Sequence, residues 1–188
     1  MELRDLETLF FALQAHAPAM GRTRAAQRIA RLRALKKALY LHQPEAHAAL
    51  RADLNRAEPD TDLNEILPVT TSIDYTIRHL RRWMRPEKHG LPITLIPGSA
   101  EVVYESKGVV LIVSPWNFPI NLCLVPLVYA VAAGNTVALK PSELSPATSA
   151  FLAKLIPTVF PPEEVVVVEG GVEVAKALID HPWNHIFF

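Results

Sequence analysis

Apolar residues recur with a helical period through the first half of the chain. Leu6, Leu9, Phe10 and Leu13 fall at i, i+3, i+4 and i+7, one face of a helix, and Gly21 breaks the pattern. From Thr23 to about Tyr40, Ile29, Leu32, Leu35 and Leu39 form a second stripe. A third helix is expected after Pro44, with Ala49, Leu50 and Leu54 on its apolar side. The run AEPDTD reads as a turn before a fourth helix, where Ile66, Val69, Ile73, Ile77, Leu80 and Met84 line up. Arg85-Pro86 stops that helix, because proline lacks the amide and the backbone geometry to continue it.

The period changes near residue 90. PITLIPGSAEVVYESKGVVLIV alternates β-branched runs with Pro97-Gly98 and Lys107-Gly108, which are strand and turn signals. VVLIV (109–113) has no polar alternation, so a strand buried on both faces is expected. An apolar helix from Pro119 to Ala133 ends at Gly134-Asn135, followed by the strand TVALK (136–140). Ser145-Pro146 opens a helix to about Phe160, with the serine as N-cap and the proline at the first helical position. VVVVE (165–169) is a third strand, Gly170-Gly171 leads into the helix VEVAKALID, and HIFF (185–188) is a fourth strand. Strand and helix alternating through short turns specify an α/β fold with a parallel sheet. Ligands in such sheets bind beyond the carboxyl ends of the strands, here SPWNFP, KPSE and EGG. A final strand with no exit helix leaves an apolar edge, so the 188 residues are expected to be part of a longer chain.

Composition narrows the partners. Lys plus Arg equals Asp plus Glu, at 19 each, so no net field favours nucleic acid or an anionic membrane. One helix face does carry Arg22, Arg24, Arg28, Arg31, Arg33, Lys36 and Lys37. Without interleaved aromatics, it reads as a solvated face rather than a nucleic-acid patch. No apolar run reaches the roughly 18 residues that span a bilayer, and MELRDLETLF lacks the charged and apolar regions of a secretory leader. The single cysteine, Cys123, excludes an internal disulfide and suits a reducing, cytoplasmic compartment. The histidines are scattered, and no metal site is expected.

Three segments carry candidate chemistry. In SPWNFP, Pro115 and Pro119 fix the backbone around Asn117, whose amide could donate to a developing oxyanion or simply cap the next helix. In KPSE, Lys140 and Glu143 could hold the two hydroxyls of a ribose as donor and acceptor, or form a solvated turn with Ser142 as a cap. No GxGxxG follows the first strand; Gly170-Gly171 suits a tight turn better than a phosphate site. Cys123 lies among leucines and valines without a nearby base, which marks a core thiol rather than a nucleophile.

Taken together, VVLIVSPWNFPINLCLVPLVYAVAAGNTVALKPSELSPATSAFLAKLIPTVFPPEEVVVVEGG resembles the aldehyde dehydrogenase superfamily. IDYTIRHLRRWMRP and WNHIFF narrow the resemblance to its class-3-like branch, nearest to the coniferyl aldehyde dehydrogenases, with 53–63 the weakest stretch. The resemblance implies oxidation of an aromatic or fatty aldehyde to the acid with NAD or NADP, in a homodimer. It implies that Asn117 supplies an oxyanion-hole amide, that Lys140 and Glu143 bind the adenine ribose, and that Ser114, Pro115 and Trp116 line the cofactor cleft. It also implies that the pyrophosphate helix, the nucleophilic cysteine and the glutamate base lie downstream, so that the 188 residues alone are inactive. The expected division is a helical segment at 1–88, a β-hairpin of oligomerisation type at 89–108, and a partial Rossmann-like NAD(P)-binding domain at 109–188. A non-catalytic relic or interaction module is the alternative, marked by a stop codon after Phe188 and no turnover.

Overall fold

The computed structural model describes residues 3–188, and the side chains from Asp5 onward. The reading of MELRDLETLF as lacking a secretory leader therefore falls partly outside them. Helices α1 (Leu3–Gly21), α2 (Ala25–Leu41) and α3 (Gln43–Leu54) follow the expected stripes. Leu6, Phe10 and Leu13 of α1, and Ile29, Leu32, Leu35 and Leu39 of α2, are all buried. Asn55 closes α3 in the left-handed conformation that asparagine tolerates.

AEPDTD is not a turn. Helix α4 (Glu58–Thr61) runs through a π-helical turn (Asp62–Ile66) directly into α5 (Leu67–Trp83). Pro59 sits in the first helical turn, where its missing amide is no loss, and Glu58 and Asp60 complement the positive end of the helix dipole. A composition rich in Pro and Asp thus marks a helix start here. The hairpin is also displaced. Strand β1 (Glu87–His89) pairs antiparallel with β2 (Ala100–Val102), while Ile93–Leu95 forms a 3-10 turn. Pro92 and Pro97 remove ladder donors from PITLIP, so that run cannot pair as a strand.

From there the alternation holds. Strands β3 (Val109–Val113), β4 (Thr136–Lys140), β5 (Val165–Val167) and β6 (His185–Phe187) form one parallel sheet in the order β5-β4-β3-β6. Helices α6 (Asn121–Ala133), α7 (Pro146–Leu155) and α8 (Val172–Ile179) connect them. Pro157 ends the regular part of α7 early, and Ile156–Thr158 continues as a 3-10 turn rather than α-helix to Phe160. Because β6 lies beside β3, the strand order reverses direction there, and a ligand crevice belongs beyond that point.

The sheet separates two apolar layers. Val110, Ile112, Val137, Leu139 and Val165 face α6 and α7, with α2, α3 and α5 packed outside them. Val109, Leu111, Ala138 and Val168 face α1 and α8. Helix α1 therefore covers the face that α6 does not, and Thr136 donates from β4 to the Leu13 carbonyl at 3.1 Å. Ile186 and Phe187 of β6 are exposed, and Phe188 is more exposed still. Among the described residues, no helix is long and apolar enough to cross a membrane.

Part of the basic face is not solvated. Arg28 is buried and donates to Thr23 Oγ1, the Gly21 carbonyl and the Ala132 carbonyl, tying α1 and α2 to the end of α6. Arg31 pairs with the buried Glu164, and Lys36 reaches Asp74 at 2.6 Å. Ser145 stands at the N-cap of α7, but its hydroxyl donates to the Ser142 carbonyl instead. The cap comes from α3: the Asp53 carboxylate accepts from the amides of Ala147 (3.0 Å) and Thr148 (2.7 Å) and from the Thr148 hydroxyl. Asp53→Ala is expected to lower unfolding free energy by about 1–2 kcal/mol in urea titrations, the worth of an N-cap. An unchanged midpoint would remove Asp53 from that role.

Candidate functional site

The carboxyl ends of β3 and β4 bring the two candidate segments together. The Ser114 amide donates to the Lys140 carbonyl at 3.0 Å, so SPWNFP and KPSE leave the sheet side by side. All six residues singled out in the sequence lie at this end of the sheet. Pro115, Trp116 and Asn117 are exposed, and the Asn117 side-chain amide takes no partner among the described residues. A free, outward amide at a strand terminus is available to a bound molecule.

Lys140 is buried, with only 2% of its surface exposed. Its ammonium donates to the Pro141 carbonyl (2.7 Å) and to Glu143 (3.3 Å), which leaves one of three donors uncommitted. Glu143 is exposed, and its carboxyl lies below the usual range. Its own backbone amide contributes most to that shift, and Lys140 adds to it. The pair presents an anchored cation and an ionised acceptor side by side. These are the donor and acceptor that a vicinal diol requires.

Cys123 lies on the buried face of α6 with no exposed surface, and burial pushes its thiol up to about 12, with the neighbouring Ser114 hydroxyl offsetting a part. The buried Ser114 Oγ has no conventional hydrogen-bond partner. Native Cys123 is expected to react with iodoacetamide at least about 100-fold more slowly than a free thiol at pH 8, and at a normal rate once unfolded. Rapid native alkylation would contradict its burial. Gly170 follows β5 with φ +153, and a Cβ there would collide with Val174, so the glycine serves the turn. His181 and His185 are four residues apart, a spacing that can hold zinc on one helix. Here they flank a loop, and their Nδ1 atoms meet the Ala177 carbonyl and Lys107 Nζ.

Two residues that the sequence did not single out hold the SPWNFP loop. Glu65, on the π turn, has no exposed surface, and its carboxylate accepts from the amides of Ile120 (3.1 Å) and Asn121 (2.8 Å) and from Arg56. Arg56 also donates to the Asn117 carbonyl at 2.9 Å and lies 4.8 Å from the centre of the Phe118 ring. No local signal marks them: Glu65 is one of four acids between 58 and 65 and stands just before the apolar stripe that begins at Ile66.

A sequence profile described as "Aldehyde dehydrogenase family" matches residues 3–188. The chain belongs to the aldehyde dehydrogenase family. It is 44% identical over 161 residues to aldehyde dehydrogenase family 3 member H1 of Arabidopsis thaliana, covering 84% of this chain and 33% of that protein. It is 37% identical over all 188 residues to a probable coniferyl aldehyde dehydrogenase of Pseudomonas aeruginosa, covering 40% of it. The substrate-bound AldH of Staphylococcus aureus superposes with a TM-score of 0.93 at 31% identity, over 97% of this chain and 40% of that one. The chain thus spans a third to two fifths of the length of these relatives. The family assignment and the parallel sheet flanked by helices agree with the motif-level resemblance.

Proposed function

We propose that the chain forms the N-terminal, cofactor-binding portion of an NAD(P)-dependent aldehyde dehydrogenase that oxidises an aromatic or fatty aldehyde to the acid. The carrying observation is the junction of a free Asn117 amide with the Lys140–Glu143 pair at the switch side of a parallel sheet. The probable coniferyl aldehyde dehydrogenase among its relatives supports an aromatic substrate.

A nicotinamide held in this cleft would supply the hydride acceptor. Asn117 donates its amide hydrogen to the oxygen of the reacting carbonyl as negative charge develops there. Lys140 and Glu143 hold the adenine ribose, and Ser114, Pro115 and Trp116 wall the cleft. An ionised Glu143 disfavours a 2′-phosphate, so NAD is preferred over NADP. The nucleophilic cysteine and the base are supplied from beyond these 188 residues, since Cys123 is buried and protonated.

The three-part organisation is proposed with the hairpin beginning at β1 rather than after residue 88, and with the exposed hairpin serving homodimer assembly. The location is cytosolic, although one relative is named as chloroplastic. Lys140→Met is expected to raise KM for NAD about tenfold, from loss of a charge-assisted hydrogen bond, with kcat within about threefold. Unchanged KM in the folded variant would remove Lys140 from the cofactor site.

A further inference from the structure

The amide of Asn117 is useful to an oxyanion only while the loop that carries it is fixed. Pro115 and Pro119 restrict that loop, but they do not attach it to the rest of the molecule. Beyond the Ser114–Lys140 bond at its start and the Asn121 side chain's bond to the Asn64 carbonyl (3.0 Å), its attachment comes from one ion pair on a distant segment. Helix α6 begins at Ile120 without a side-chain cap of its own. Glu65 takes its place, accepting from the Ile120 and Asn121 amides at 3.1 and 2.8 Å. Arg56 bonds Glu65, the Asp60 carboxylate (3.2 Å) and the Asn117 carbonyl (2.9 Å), and its guanidinium lies over Phe118. Every residue from Asn117 to Asn121 except Pro119 is therefore touched by this pair. Two local features bring it there: the left-handed Asn55 that turns the chain before Arg56, and the π turn that carries the buried Glu65.

We propose that Arg56 and Glu65 are positioning residues that hold the backbone of 117–121, and with it the Asn117 amide, at the angle an oxyanion requires. The inference rests on the reading of Asn117 as the oxyanion donor. A carbonyl held by one nitrogen of a guanidinium, whose other nitrogens are fixed by two carboxylates, has little freedom to rotate. Lysine cannot reproduce this, because a single ammonium does not offer a planar fork to three acceptors.

The test uses the protein purified from its source cell, with kcat and KM measured for wild type and for Arg56→Ala, Arg56→Lys, Asn117→Ala and Arg56→Ala/Asn117→Ala. Ile73→Val, in the buried core of α5, is the control for stability loss alone. Arg56→Ala is expected to lower kcat about 10- to 100-fold, the effect of a small misplacement of a reacting group, with KM for the cofactor within about threefold. The double variant is expected to be no more than about threefold slower than Asn117→Ala, because Arg56 acts through the amide that Asn117→Ala has already removed. Arg56→Lys should fall between wild type and Arg56→Ala, and it decides the matter if Arg56→Ala does not fold. Ile73→Val should keep its kcat. Arg56 variants matching Ile73→Val in kcat, or a fully additive double variant, would overturn the positioning role alone. A normal kcat in Asn117→Ala would instead remove the underlying reading, and the inference with it.

Discussion

Asn117→Ala is expected to lower kcat by on the order of 10²–10³-fold in the intact enzyme, while KM for the aldehyde changes little. The exposed amide has no partner among the described residues, so its removal breaks no internal bond. The backbone of the loop is held through the Asn117 carbonyl, which alanine retains. A large fall in kcat with unchanged thermal stability therefore reports transition-state stabilisation, not misfolding. Asn117→Asp should fail as well, because a carboxylate accepts where the oxyanion needs a donor. A kcat near that of wild type in a folded Asn117→Ala would show that the amide has no part in the chemistry.

Glu65→Ala is expected to lower unfolding free energy by about 3–5 kcal/mol, the loss seen when one partner of a buried pair is removed. It leaves Arg56 without its buried acceptor and the amides of Ile120 and Asn121 without any. The pH dependence follows from the same site. Burial raises the Glu65 carboxyl above its ordinary pKa, and the Asn121 amide, Arg56 and the Ile120 amide pull it partly back. The folded protein then holds a proton at pH values where the unfolded chain has lost it. The stability contributed by Glu65 protonation is full below the unfolded pKa and declines as pH rises through the folded one. Urea titrations of wild type and Glu65→Ala across that range measure both effects. A loss below about 1 kcal/mol would mean that Glu65 is not an anchoring group.

Most of the fold was legible because local and global patterns agree. The stripes of α1 and α2, the unbroken apolar strands β3 and β4, and Gly134 as a left-handed cap all follow from spacing. The failures have physical causes. AEPDTD has turn composition, yet the same Pro and Asp suit a helix N-terminus. PITLIP has strand composition, but two prolines deny it a ladder. Arg28 and Asp53 look like surface charges in sequence; the Ala132 acceptor of Arg28 and the amide donors to Asp53 lie about a hundred residues away, beyond any local window. The site divides in the same way. The placement of Asn117, Lys140 and Glu143 at strand ends, where α/β sheets bind ligands, was visible; their roles come from the family resemblance. Arg56 and Glu65 were not visible, because they act on a loop some sixty residues downstream, and the π turn that places Glu65 leaves no clear mark in the sequence. Asn135 and Asn184 show the reverse: their side-chain oxygens accept from Gly108 and Val109 at the start of β3, the end of the sheet away from the cleft. Both belong to motifs that carry the family resemblance, and both serve the scaffold.

The most direct measurement of the central claim is a mass balance on protein purified from its source cell, supplied in turn with coniferyl aldehyde and a long-chain aliphatic aldehyde, each with NAD or NADP. One carboxylic acid formed and one cofactor reduced are expected for each aldehyde consumed. Both aldehydes and the cofactor unchanged in the presence of folded protein would contradict that claim.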